Sequence, residues 1–433
     1  VWFTNQPSNS GLYQNMVEYN TQKNPGSLPA DFGFNPNYRE TLQKYPSLFP
    51  STPSEQAPDV IAYVDPKFKM PQVWRSNLNV DIQLPYDFML SVGAMYTRDI
   101  YNVAQINMNE AEPTGVYNEQ PDRIYWASKK YEYNDYTNGK NVVVKLSNGE
   151  DKGYQYSFNA ILTKKYDFGF TGSIGYTYTM AKDLTANPGS APNSAWQNNV
   201  AVNSLNDPGV SYSLFSTPHR IIANASYEIN YAKCLKTTFS LFYSGYHTGR
   251  YSYTYYNDMN GDGNYSDLIY VPNSQDEMTF VDITDKSGAI TYSAVDQAKD
   301  FWDFVNNDSY LKDRKGKYVE RNGSLTPWIN RFDFKIAQDF YATLGGRKYG
   351  IQVSLDMLNV GNMINSKWGA YQSCGLKSYD NVQLLKTASK VGEPLTYQIN
   401  ANSREAFKER SSWQYTNTIG SAWSMQLGVK VTF

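Results

Sequence analysis

Apolar and polar side chains alternate with a period of two over long stretches of this chain. Trp74, Leu78, Val80, Ile82 and Leu84 share one face, while Arg75, Asn77, Asn79, Asp81 and Gln83 share the other. Alternation over about eleven residues suits a tilted strand crossing a hydrocarbon layer. Pro85-Tyr86-Asp87 predicts a tight turn, and Phe88, Leu90, Val92, Ala94 and Tyr96 carry the apolar face back. A second hairpin puts Tyr154, Tyr156, Phe158, Ala160 and Leu162 before a Lys164–Asp167 turn, with Phe168, Phe170, Ile174, Tyr176 and Tyr178 after it. A third has Ile221, Ala223, Ala225, Tyr227 and Ile229, a turn around Ala232-Lys233-Cys234, then Phe239, Leu241 and Tyr243, out to about Tyr253. A fourth pairs Phe332, Phe334 and Ile336 with Ile351, Val353 and Leu355 across Leu344-Gly345-Gly346-Arg347. The last strand is the most regular, with Trp423, Met425, Leu427, Val429, Val431 and Phe433 apolar and the residues between them polar or small.

The connections divide into two kinds. Short turns close each hairpin, whereas long segments rich in Asn, Ser, Pro and Tyr join one hairpin to the next: about 100–152, 182–217, 255–326 and 361–420. Short turns at one end and long loops at the other is the outer-membrane barrel pattern. A soluble sandwich has no reason to sort its loops by length. The expected fold is therefore all-β, a transmembrane antiparallel β-barrel with long extracellular loops. Residues 1–70 show no sustained period and are expected to be an extracellular loop region, with barrel strands and loops over 71–433. Four hairpins and a final strand make nine long strands, an odd count that leaves two unpaired edges. Lipid does not tolerate such edges, so further sequence or a second chain is expected to complete the wall.

Composition agrees. With 38 Tyr, 20 Phe and 9 Trp but a mean hydropathy of −0.59, the chain is rich in aromatic and small polar residues and poor in aliphatic ones. A wall with a greasy outside and a wet inside needs that mixture. A secreted carbohydrate-binding β-protein would share it, and composition alone does not separate the two. Lys and Arg number 39 against 41 Asp and Glu, so no basic field for nucleic acid exists. No apolar run is long enough for a membrane helix. Val1-Trp2-Phe3-Thr4 shows neither a basic start nor a cleavage site, and an exported protein is expected to begin upstream of it. Cys234 and Cys374 are read as unrelated free thiols, since the barrel places them at opposite membrane faces.

Several segments carry a family resemblance: Ser216-Thr217-Pro218-His219-Arg220, Asp258-Met259-Asn260-Gly261-Asp262-Gly263-Asn264, Pro327-Trp328-Ile329-Asn330-Arg331-Phe332-Asp333, Leu355-Asp356-Met357-Leu358-Asn359-Val360-Gly361-Asn362, and the terminal strand ending in Phe433. Over about residues 65–433 the chain resembles the C-terminal half of a TonB-dependent outer-membrane receptor. The branch is the one with an N-terminal carboxypeptidase-regulatory-like domain, distantly similar to the starch-utilisation receptors. The resemblance implies the C-terminal part of a roughly 22-stranded barrel. It also implies an N-terminal plug and a TonB-binding box, neither visible here, and energy-coupled import of a large nutrient ligand. A passive or export pore is the alternative within the same fold. Expected partners are the lipid bilayer, the remaining strands and plug, the TonB complex, the barrel-assembly machinery and a surface lipoprotein. Substrate stays open among oligosaccharide, peptide, metal chelate and exported protein.

Candidate sites are few. Asp258, Asn260, Asp262 and Asn264, with Asp267 behind them and Gly263 at the sharp turn, have the spacing of a calcium loop. Position twelve is Ile269 rather than Glu, so it is no EF-hand, and an Asx-rich turn that binds nothing is the competing reading. Ser293 through Asn306 predicts a short helix capped by Ser293, with Ala294, Val295, Ala298, Phe301, Trp302 and Val305 on one face, read as packing against loops. Arg75, Asp81, Arg220, Glu228, Arg331, Asp333, Lys335, Asp339 and Lys430 are expected to line the lumen as a mutually neutralising lattice without strong ion selectivity. Tyr251, Tyr253, Tyr255, Tyr256 and Tyr265 offer rings for stacking on sugars or peptides, or simply loop packing. Phe433 resembles the C-terminal signal read by the barrel-assembly machinery. Catalysis finds no support: only His219 and His247 occur, the first read as structural, with no nucleophile elbow, zinc-binding helix or phosphate loop.

Overall fold

The computed structural model describes residues 28–33, 35–48, 60–133, 142–189, 191–374, 377–378, 381–400, 406–407 and 413–433. The alternating stretches become nine long strands: β1 (Gln72–Leu84), β2 (Phe88–Tyr101), β3 (Tyr154–Lys165), β4 (Phe170–Asp183), β5 (His219–Tyr231), β6 (Leu235–His247), β7 (Trp328–Leu344), β8 (Arg347–Leu358) and β9 (Ser424–Thr432). They pair in chain order, each antiparallel to the next, and the two-residue strand Ser211–Tyr212 joins the sheet beside β4. Among the described residues β1 meets only β2 and β9 only β8, so the sheet has two open edges.

Turn chemistry fixes the register. Ala232 and Lys233, like Gly345 and Gly346, all have positive φ (51°, 56°, 58° and 81°). Two such residues in succession give the turn whose twist matches the flanking strands. Tyr86 and Asp87 at the first turn do the same at φ 61° and 58°, a conformation that costs a non-glycine residue some strain. From these turns the ladders run without a slip over the apolar stretches, so one face stays in phase across the sheet. Val80 lies opposite Val92, Val92 opposite Ala160, Ala160 opposite Tyr176, and Tyr176 opposite Ile221. Farther along, Phe239, Ile336, Leu355 and Leu427 continue the same face. A one-residue slip anywhere would exchange this face for the polar one.

One expectation needs correction. The third hairpin stops at His247, where β6 pairs with Trp328, and does not reach Tyr253. The Thr326 hydroxyl accepts from the Gly249 N–H (2.9 Å) and interrupts the ladder, which resumes in the same register where Arg250 and Tyr251 pair antiparallel with Leu325 and Ser324. Arg250–Tyr255 then forms a strand of another sheet, parallel to Asn381–Thr387. In the 1–70 span, residues 1–27, 34 and 49–59 lie outside the described residues. The rest includes a helix, Tyr38–Lys44, and a strand, Val60–Val64, which pairs in parallel with Val142–Ser147.

The long connections form a folded cap with its own apolar core. Tyr251, Tyr253, Tyr255, Ile269, Phe301, Phe304, Leu384 and Ile399 are buried together in it, drawn from segments far apart in sequence. The predicted helix is present as Ala294–Asn307, and the Ser293 hydroxyl accepts from the Asp296 N–H (3.1 Å). Phe301, Phe304 and Val305 face the core, whereas Val295 is exposed. Among the described residues no helix is long and apolar enough to cross a membrane.

Candidate functional site

The apolar sheet face is not covered by the protein. Leu427 is 72% exposed and Ile174 53%, Val429 is exposed too, and Phe334 is half-buried. The secreted, soluble alternative required these faces to meet in a dry core, and they do not. Aromatic rings gather at both ends of the face. Near the short turns Phe168 lies 5.1 Å from Tyr166 and 6.2 Å from Tyr227. Near the long loops Trp74 meets Tyr96 at 6.0 Å, Tyr178 meets His219 at 5.3 Å, and His247 meets Trp328 at 5.0 Å. Eight residues of β4 separate Phe170 from Tyr178. That is about 26 Å along the strand at ~3.3 Å per residue, or about 20 Å of depth at a tilt of about 40°. With the rings' own size added, the interval matches the apolar band of about 25 Å between the aromatic girdles of outer-membrane barrels. His219 belongs to this belt, its Nδ1 bonded to the Tyr176 hydroxyl (2.7 Å).

The opposite face is polar and internally paired. Lys236 stands between Glu228 and Asp339, 3.6 Å from each, and Lys335 meets Asp356 at 2.7 Å. Arg75 donates to Thr97, Asp81 accepts from Ser91, and Asp333 accepts from the Asn359 N–H. Arg331 donates to the Tyr371 hydroxyl, and Arg220 lies over the Tyr246 ring. Lys236 and Asp356 were not among the residues singled out from the sequence, although their alternation placed them on this face.

Arg123, which nothing in the sequence marked, organises the cap. Fully buried, it donates to the Val202 and Leu268 carbonyls and to Gln120 Oε1 (3.2 Å), and lies 3.5 Å from Asp267 and 4.8 Å from the Tyr318 ring centroid. Gln120 in turn donates to the hydroxyls of Tyr255 and Tyr397, both at 2.9 Å.

The Asp258–Asp267 turn is folded by its own side chains. Asp258 accepts from the Gly261 and Gly263 N–H groups (2.7 and 2.9 Å), Asn260 from Asp262 (3.0 Å), and Asp262 from Asn264 (2.7 Å). Asp267 accepts from Met259 (3.0 Å). Gly261 and Gly263, at φ 83° and 95°, both take the left-handed backbone shape that favours glycine. The structure thus brings all five sequence-marked residues into one turn. Burial pushes the Asp267 carboxyl up to about 7, with Arg123 opposing. Asp262 is pushed well above the carboxylate range by burial and by the charges of Asp267 and Asp258. Among the described residues, no group of three or more His, Cys, Asp or Glu side chains is arranged to hold a metal ion.

The five tyrosines divide. Tyr251, Tyr253 and Tyr255 are sealed in the cap core and are lost as stacking surfaces. Burial raises the Tyr251 phenol to about 12, and the Tyr253 hydroxyl donates to Asp308 (2.7 Å). Tyr256 and Tyr265 are exposed, 48% and 66%, on the rim of a cavity of about 620 Å³. Phe433 follows β9 directly, two residues beyond Val431 of the apolar face, and is exposed. Cys234 lies exposed in a short turn and Cys374 buried in the cap, and neither forms a disulfide among the described residues.

A meander of tilted strands, apolar and girdled outside and polar and ion-paired inside, defines the wall of a bacterial outer-membrane β-barrel. The chain belongs to the family described as an outer membrane beta barrel domain, whose model matches residues 3–370, and so includes β1 to β8. No curated protein and no solved structure matches the chain.

Proposed function

We propose that this chain is part of the wall of a TonB-dependent transporter that imports a large nutrient ligand, with its cap facing the cell exterior. The observation that carries the reading is the folded cap over one end of a polar-lined wall. A passive pore needs loops short enough to leave its mouth open, whereas here the long connections fold over a shared apolar core into a cap whose outside offers a receptor surface. The family resemblance of the sequence segments supplies the class. On this reading the open edges of β1 and β9 are closed by further strands of a roughly 22-stranded barrel, and a plug fills the lumen against the ion-paired face. TonB acts through that plug, a surface lipoprotein covers the cap, and the barrel-assembly machinery reads Phe433. The chain does no chemistry on its ligand.

In the same reading calcium braces the Asp258–Asp267 turn. Three carboxylates share the turn, Asp262 and Asp267 buried and Asp258 half-buried, and among the described residues Arg123 is the only ion-pair partner any of them has. They do not yet stand as a ligand set, so the ion would have to draw them together. The import reading is tested by deleting the gene and measuring uptake of surface-bound nutrient with and without a membrane-energising gradient. Loss of gradient-dependent uptake, restored by the intact gene, is the expected outcome. A large, steady ion conductance in planar bilayers without any energy dependence would favour the passive or export pore instead.

A further inference from the structure

We infer that the cap holds a binding site for a neutral oligosaccharide, in the cavity rimmed by Tyr256 and Tyr265 and walled by Asn264, Gln197 and Gln383. The inference rests on the import reading and names the substrate class for it.

The chemistry of the walls carries the argument. Six of the ten lining residues bear a side-chain amide, two are tyrosines, and the remaining two are Gly263 and Ser266. None is charged. Two other cavities of the cap differ sharply: one is lined by Asp65, Lys67, Lys145 and Glu150, the other by Asp122, Arg314, Lys317 and Glu320. A charged ligand is recognised by opposite charge, and an apolar one by apolar walls. Amides both donate and accept, which suits a ligand that is mostly hydroxyl. A tyrosine ring supplies an apolar surface with a polar tip, which suits the carbon face of a sugar ring. A volume of about 620 Å³ falls in the usual range for small-ligand sites, about 300–1,000 Å³.

A second observation is independent of that composition. Asn264 is only 4% exposed, yet its Nδ2 has no hydrogen-bond partner. A buried donor left open is costly, and the residue that carries it is one of those that line the cavity. Its position is set from behind, because the Asp262 carboxylate holds the Asn264 N–H at 2.7 Å. Among the described residues, the side chains of Gln197, Asn381 and Gln383 are likewise uncommitted, while Asn257 is fully engaged with Thr387. Neither Tyr256 nor Tyr265 stacks on another described ring, and both are exposed. The Asp258–Asp267 turn therefore serves as the wall that presents Asn264 and Tyr265.

The test is calorimetric titration of the full chain, purified in detergent, with neutral gluco-, manno- and xylo-hexasaccharides. An oligogalacturonate and a charged hexapeptide serve as controls. At least one neutral hexasaccharide should bind, with little change in affinity when salt is raised to about 0.5 M. Tyr256→Ala with Tyr265→Ala should weaken binding by about tenfold or more, and the paired Phe replacements should retain most of it. Asn264→Ala should weaken it several-fold. Both tyrosines are exposed, so unchanged thermal unfolding confirms that the variants keep the fold. Failure of every neutral hexasaccharide to bind, binding confined to the charged controls, or affinity indifferent to the two tyrosines overturns the inference. Uptake measurements separate this claim from the one beneath it. A saccharide that binds but is not carried inward leaves the site standing and removes import. Gradient-driven uptake of another ligand class, with no saccharide bound, removes the site and leaves import.

Discussion

At the scale of single residues, burial decides what each side chain is free to do. Tyr253 and Tyr265 are the same residue twelve positions apart, one at 1% exposure inside the cap and the other on its rim. Sequence marks both as aromatic loop residues and says nothing of their depth. The carboxyl of Asp267 shows the same effect electrically. Held near 7 by burial, it keeps a proton that the unfolded chain loses near 3.8. The folded state thus binds more protons across that window, and stability must fall as pH rises from about 4 to about 7, then level off. Asp262 and Asp258 shift in the same direction. The protection factors of cap amides between residues 253 and 269, with the intrinsic base-catalysed rate divided out, should therefore fall from pH 5 to pH 7.5, and Asp267→Asn should flatten that change. Calcium binding would reverse it, because the ion prefers the ionised carboxylates and stabilises the state that holds them. Added calcium should slow exchange at pH 7.5 in the natural chain and not in Asp262→Asn. Protection that rises with pH, or whose pH dependence Asp267→Asn leaves unaltered, would show that these groups do not govern the cap.

At the scale of elements, the strands were legible and the cap was not. Alternation such as Phe170 to Tyr178 fixes both the strand and its face, because a side-chain period of two has only two outcomes. The short turns at Ala232-Lys233 and Gly345-Gly346 then set the register without long-range help. Arg250–Tyr255 alternates equally well, yet it leaves the barrel wall and pairs in parallel with Asn381–Thr387, more than a hundred residues on. No local pattern reports such a partner. Arg123 was missed for a related reason: its acceptors, the Val202 and Leu268 carbonyls, are backbone groups brought near by folding. The amide walls of the saccharide cavity come from three separate loops, which in sequence look only like polar connections. A wall facing lipid on one side makes a prediction for the strands themselves. Ile174→Arg, on the apolar face of β4, should cost about 2–4 kcal/mol of barrel stability measured by denaturant unfolding in liposomes. Ser157→Arg, on the polar face of neighbouring β3, should cost less than about 1 kcal/mol. Equal penalties at both positions would mean that the two faces do not differ in solvent.

At the scale of the whole molecule, the parts fit one another. A sheet with an apolar band about as deep as an outer membrane carries, at its long-loop end, a cap with an independent core. The wall needs the membrane for stability, whereas the cap is stabilised as soluble domains are, by burial of aromatic and aliphatic side chains and by the hydrogen bonds of buried Arg123 to the Val202 and Leu268 carbonyls. The account as a whole turns on which solvent meets each face of the sheet. Spin labels placed one at a time along residues 171–178 of β4, in liposomes of the reassembled protein, read this directly through collisions with oxygen and with a water-soluble nickel chelate. Oxygen contact should peak at positions 174, 176 and 178, and nickel contact at 173, 175 and 177, two patterns of period two in opposite phase. Patterns that rise and fall together, or apolar positions closed to both reagents, would contradict the account.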